Sequence, residues 1–295
     1  MTNMSRKDHE DLTRLLDELV SYSTQKFPGQ IVSMVLFGSA TTGEWVKGKS
    51  DIDCIVIVKE QKMVKTIEEF LHNTLFELDS KYKLDLAKTC SIYKTPDNQL
   101  LNTVVKTEKF AMFGRPFYVL SEDQIDFANA KIKGDFKIFV GTHVIASLNL
   151  FFHRIKSTGR VLYGKDITKE FPTRIPRVEK FKACLNALLL LYMSLVTLPL
   201  DSRMSFSHAV KANFWACDDV LFALEKPLSN TESEIHEIKN TFNENVDVSH
   251  LHTSLEYKKS NKISKLTKGF VFRYIVKTTR FVFGLYAITI QKIFS

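Results

Sequence analysis

At 295 residues, 44% apolar and 25% charged, the chain has the composition of a globular protein with room for two domains, which excludes disordered, fibrous and disulfide-stapled classes. Its formal charge of +8 is localised: nine basic residues and no acidic one lie from Tyr257 to Ser295, and setting them aside leaves 32 basic against 33 acidic residues. The four cysteines, Cys54, Cys90, Cys184 and Cys217, show no Cys-x-x-Cys spacing. A zinc site and a disulfide framework are therefore not expected, and a reducing, cytoplasmic setting is.

The N-terminus is polar, with no apolar segment of the signal-peptide kind. Residues 6–26 carry Leu12, Leu15, Leu16, Leu19 and Val20 at helical spacing, and Pro28-Gly29 ends that helix. Strands are predicted at 31–37 and 52–58, joined through Gly38-Ser39 and an eleven-residue gap that closes on Ser50-Asp51-Ile52-Asp53. Residues two apart on a strand share a face, so Asp51 and Asp53 project side by side. Two carboxylates that close repel unless a cation sits between them, and Mg²⁺, with its taste for hard oxygen ligands and phosphates, suits the place. A glycine corner lets a phosphate approach the backbone, and the next hydroxyl can donate to it. A helix over 62–81 and a strand over 84–93 carrying Asp85 follow, then a turn at Pro96-Asp97-Asn98 and an edge strand within 110–120.

This layout resembles the nucleotidyltransferase superfamily that includes DNA polymerase β, whose members carry Gly-Ser, roughly ten residues, Asp-x-Asp and a later apolar-flanked carboxylate. The wording GSA…G…SDID is most similar to small stand-alone enzymes such as aminoglycoside adenylyltransferases. The resemblance implies an α+β fold: a nucleotidyltransferase domain with a small mixed sheet over 1–120, then an α-helical bundle over 121–295. It also implies two Mg²⁺ ions held by Asp51, Asp53 and Asp85, with an NTP, ATP foremost, bound through Gly38, Ser39 and Ser50. Asp85 would take the proton of the attacking hydroxyl, and Thr41 and Thr42 are further candidate phosphate contacts. The acceptor hydroxyl is left open between a small molecule, RNA or tRNA, and a protein. A nucleotide-binding, antitoxin-like regulator with little turnover is the alternative of a different class.

Helical spacing continues at 136–156, 178–197, 207–224 and 231–242, with a capping box expected at Thr231-Glu232-Ser233-Glu234. The bundle is similar, more weakly, to adenylyltransferase partner domains and to HEPN-type domains. Arg203 and His208 match a HEPN ribonuclease spacing that chance supplies about as often in such a chain, so His208 is expected at a helix start or on the surface. The longest uncharged apolar-rich stretch, 281–291, is shorter than the roughly 20 residues a bilayer requires, so no transmembrane segment is expected. The basic tail admits three readings: a solvated last helix, a nucleic-acid contact, or a membrane-surface helix.

Overall fold

The computed structural model describes residues 6–48, 50–86, 116–133, 147–171, 174–242, 246–260 and 266–295. It is mixed α+β and divides into two compact units.

The first unit is built on a four-stranded mixed sheet. Helix α1 (Arg6–Lys26) leads into β1 (Ile31–Phe37), a short helix α2 (Ser39–Thr42), β2 (Asp53–Val58) and helix α3 (Val64–Tyr82). Strand β3 (Phe117–Ser121) follows, then two-residue strands β4 (Ile125–Asp126) and β5 (Lys131–Ile132) that pair apart from the main sheet. Helix α4 (Leu148–Thr158), from Phe151 onward, and strand β6 (Arg160–Gly164) complete it. The sheet order is β3-β2-β1-β6; β2 and β3 are parallel, and β1 pairs antiparallel with β2 and β6.

Side-chain alternation divides the strands between two buried layers. Met34, Leu36, Cys54, Val56, Phe117 and Val119 join Leu12, Leu15, Leu16 and Leu19 of α1 and Ile67, Leu71, Leu75 and Leu78 of α3 in one core. The opposite face carries Phe37 and Tyr118, whose rings meet Phe151 of α4 at 5.5 and 5.0 Å. By the same parity Asp53 and Ile55 belong to that second face.

The expected division at residue 120 gives way: β6 returns to pair with β1, so the sheet takes its fourth strand from beyond the boundary. The predicted strand over 84–93 is also corrected in its described part. Lys83 and Asp85 both have positive φ (53° and 61°), and the Asp79 carboxylate accepts the Leu86 N–H at 3.0 Å, so 84–86 turn instead of extending. Residues 87–93 lie outside the described residues, as does 134–146, where part of the predicted helix over 136–156 fell.

Gly164 ends β6 at φ +75°, where a Cβ would stand 2.1 Å from the Val32 carbonyl oxygen. That oxygen already accepts the Lys165 N–H at 2.9 Å. Gly164→Ala should therefore strain the backbone and push β6 off β1, costing about 3 kcal/mol in a urea unfolding titration of the whole chain. An unchanged midpoint would mean that this join does not hold the sheet.

The second unit is helical: α5 (Arg177–Ala183), α6 (Asn186–Thr197), α7 (Ser202–Ala223), α8 (Thr231–Phe242), α9 (Leu251–Ser260) and α10 (Lys268–Phe294). Helix α7 is the centre, and the other five pack on it. The single helix expected over 178–197 is broken at Cys184–Leu185 into α5 and α6. Arg177–Thr197 is, by length and composition, apolar enough to cross a membrane, yet Ala183, Ala187, Leu190, Leu191 and Met193 are buried inside the bundle. The start of α8 is corrected in its cap: Asn230, not Thr231, accepts the Ser233 N–H, and Glu234 reaches back to the Ser229 N–H. His208 is buried in α7 with its Nδ1 3.4 Å from the Thr197 hydroxyl, so it is neither a helix-start nor a surface residue. Asn213 anchors the interior, its amide group within reach of Ser254, Tyr274 and Thr278 and its carbonyl 3.1 Å from His250 Nε2. Satisfied polar networks of this kind fix one packing among many.

Candidate active site

The corner after β1 is set by Gly38, at φ 75° and ψ −151°, a conformation in which a side chain is strained. A Cβ there would lie 2.7 Å from Asp53 Oδ2, so the Asp53 carboxylate leans directly over the glycine backbone. The register agrees, since Phe37 pairs with Asp53 across β1 and β2. Ser39 opens α2 and is partly exposed, while the Gly38 carbonyl accepts the Thr41 N–H, the Thr42 N–H and the Thr41 hydroxyl. The Thr41 hydroxyl is thus engaged in holding the corner.

The loop between α2 and β2 is closed by Ser50, whose hydroxyl accepts the Val46 N–H at 2.9 Å while its own N–H donates to Val46 O. Ser50 shapes the loop that delivers Asp51. Further along, the Gly48 N–H donates to Leu84 O at 3.1 Å, which ties the loop to the segment bearing Asp85. Asp85 packs against Gly48: a Cβ built there would be 3.6 Å from Asp85 Cβ.

Burial pushes the Asp53 carboxyl well above the usual carboxylate range, the Asp51 charge pushes it further, and the Arg154 guanidinium pulls it back. Asp51 and Asp53 are therefore brought together, as their two-residue spacing requires. Arg154 of α4 is the residue that sequence reasoning missed. It lies about a hundred positions downstream, one of two cations, with Lys156, in an ordinary helical pattern, and the packing of Phe151 on Phe37 and Tyr118 over the second sheet face brings its helix within range of Asp53.

A family model described as a nucleotidyltransferase domain matches residues 16–117. That match spans about a third of the chain and falls on the segment whose Gly-Ser and Asp-x-Asp pattern resembles the nucleotidyltransferases. Among solved structures, the chain is similar to a spectinomycin adenyltransferase from Enterococcus faecialis whose structure was determined with ATP and spectinomycin. The match has a TM-score of 0.50 and 12% identity over 90% of this chain and 98% of that one, a likeness of fold. A search of curated proteins found no match.

Within the nucleotidyltransferase domain, the donor set can be tested against a divalent cation. A half-buried pair of carboxylates, one of them raised by burial and then by its neighbour's charge, has the charge and the hard oxygens that Mg²⁺ takes. The expected third ligand is not gathered with them. Among the described residues no group of three or more His, Cys, Asp or Glu side chains stands ready to hold a metal ion, and the left-handed turn at 83–85 sets Asp85 against Gly48 instead.

Proposed function

We propose that this chain transfers a nucleoside monophosphate from an NTP, ATP foremost, to a hydroxyl of a small molecule. The reading rests on one observation: Asp53, raised by burial and by Asp51, overhangs the Gly38 backbone at the strand-end corner of a nucleotidyltransferase domain. ATP and a small acceptor are favoured because the similar adenyltransferase structure contains ATP and spectinomycin.

In this reaction the acceptor oxygen forms a bond to the α-phosphorus, the α–β phosphoanhydride breaks, and pyrophosphate departs with the electron pair. Asp51 and Asp53 would hold Mg²⁺, two ions by family resemblance. When bound, the metal offsets negative charge on the phosphates and the attacking and leaving oxygens. Gly38 gives the triphosphate room at the backbone, Ser39 offers a hydroxyl beside it, and Ser50 keeps the loop closed. Arg154 balances the carboxylate pair before the nucleotide arrives and has the charge to meet its phosphates afterwards. Asp85 is assigned the acceptor's proton and not a place among the gathered metal ligands; the Gly48 N–H to Leu84 O bond holds its segment against the loop that delivers Asp51, and an Asp held at positive φ is the kind of local strain found at working sites.

The test is incubation with each α-labelled NTP and Mg²⁺, with a panel of hydroxyl-bearing aminocyclitols and, separately, total RNA. Label from ATP on a small compound, abolished by EDTA, is the expected result. Transfer only to RNA would overturn the acceptor, and no transfer from any nucleotide to any acceptor would overturn the reaction.

A further inference from the structure

The charged tail singled out in the sequence resolves into two different helices. Lys258 belongs to α9, where it bonds Thr231 and lies over the Phe214 ring, whereas Arg273, Lys277 and Arg280 stand exposed on α10. No acidic residue occurs anywhere in α10, and α6 carries no charge at all.

Thirteen large apolar side chains stand exposed among the described residues, and nine of them lie on α5, α6 with the turn after it, and α10. Such concentration separates a surface from scattered exposed residues, which are ordinary. On α10 the exposed ones are Phe272, Phe283 and Phe294, at 52%, 54% and 58% exposure. They recur every eleven residues, which is close to three turns, so they form one line with rings about 16 Å apart along the axis. Arg273, Lys277 and Arg280 fall on the neighbouring strip of the same helix, about 40–140° further round at 100° per residue.

Helix α6 extends this surface. The Ala187 N–H donates to the Tyr286 hydroxyl at one end, and Lys268 Nζ donates to Pro199 O at the other, so α6 and α10 lie antiparallel side by side. Both pack inward on α7, and Tyr286 and Lys268 lie on the flank of α10 next to the phenylalanine line. The outward side of α6 presents Tyr192 (63% exposed), Leu195 and Val196. An apolar band from two helices is thus bordered along one edge by a row of cations.

We propose that this face docks on the surface of an anionic phospholipid bilayer. The apolar band would enter the headgroup–acyl boundary to a depth of about 5–10 Å, with the arginines and lysine at phosphate level. The charge pattern selects this occupant. Three cations on helices that carry no acidic residue complement anionic headgroups; among the described residues, only Lys277 of them lies within range of a carboxylate, Asp247 ahead of α9. An apolar band wider than the cation row suits lipid better than a nucleic-acid backbone, whose binding is carried chiefly by cations. The proposal is independent of the transfer reaction.

Flotation of the full chain with vesicles tests it. Binding is expected to vesicles of phosphatidylcholine mixed with phosphatidylglycerol, to be weak on phosphatidylcholine alone, and to fall as salt rises. The combined variant Phe272→Ser, Phe283→Ser, Phe294→Ser should lose at least about tenfold in vesicle affinity, and Arg273→Glu, Lys277→Glu, Arg280→Glu should lose a similar factor. Phe76→Ser, at an equally exposed phenylalanine on α3, should leave binding unchanged. All these side chains are exposed, and thermal melts of each variant check that the fold persists. No flotation with anionic vesicles, or wild-type flotation by the triple serine variant, overturns the proposal. So does a vesicle-free dimer, seen by sedimentation, that the serine variant abolishes; the face would then be an interface between copies of the chain.

Discussion

Asp53→Asn should abolish nucleotidyl transfer, lowering kcat by about 10²–10³-fold or more, the scale on which removal of a single preorganised electrostatic group acts. The same substitution should leave the fold intact and raise its melting temperature at neutral pH. The physical reason lies in the sign of the shift. Burial and the Asp51 charge hold the Asp53 carboxyl above its ordinary value of 3.8, so the folded state favours the protonated form. At pH above that raised value the ionised carboxylate destabilises the fold, because proton release is easier in the unfolded chain. As pH falls through the raised value the penalty is relieved, and below the unfolded value it is gone. Asn carries no charge to release, so the gain over wild type should be present at pH 7 and vanish near pH 3. Melting curves of both proteins at the two pH values, beside a labelled-ATP assay, measure both halves. A residue kept at a cost to stability and needed for turnover is serving the site. Wild-type turnover in the variant would remove Asp53 from the chemistry.

Gly38→Ala should be as damaging to transfer and should also cost stability. The added methyl carbon would meet Asp53 Oδ2 at 2.7 Å, and the backbone, at φ 75° and ψ −151°, is strained for any residue with a Cβ. Strain of this kind costs about 1–3 kcal/mol, and displacement of the Asp53 carboxylate adds to it. The expected outcome is a loss of that size in a urea titration together with transfer below about 1% of wild type, since misplacing a group by about 1 Å is enough for a hundredfold loss. Normal transfer by Gly38→Ala would show that the corner neither touches the nucleotide nor positions Asp53.

The parts of this fold that were legible in the sequence are those written in short-range patterns. Strands β1 and β2 are nearly continuous apolar runs, as burial on both faces demands, and α1 shows its core stripe at 3–4 spacing. The closeness of Asp51 and Asp53 follows from a period of two. What was hidden depends on distant packing. Strand β6, Arg160–Gly164, is short and mostly exposed, so nothing in its five residues announces that it completes the sheet beside β1. Arg154 becomes a neighbour of Asp53 only through α4. The turn at Asp85 is set by the left-handed end of α3 at Lys83 and by hydrogen bonds to Asp79 and Gly48, whereas the local sequence, with Leu84 and Leu86 flanking Asp85, alternates like a strand. The break between α5 and α6 leaves no mark either, since neither Cys184 nor Leu185 is a helix breaker.

Because β6 seals the outer side of β1, the ribosome must release more than 160 residues before the sheet loses its bare edge. A recombinant fragment cut near residue 120 would carry that edge permanently, with Ile31 to Phe37 offering unpaired amides and carbonyls to any neighbouring molecule. Fragments meant to isolate the first unit are better extended to residue 171, where that unit has its last buried aromatic, Phe171, stacked on Phe152 at 4.7 Å.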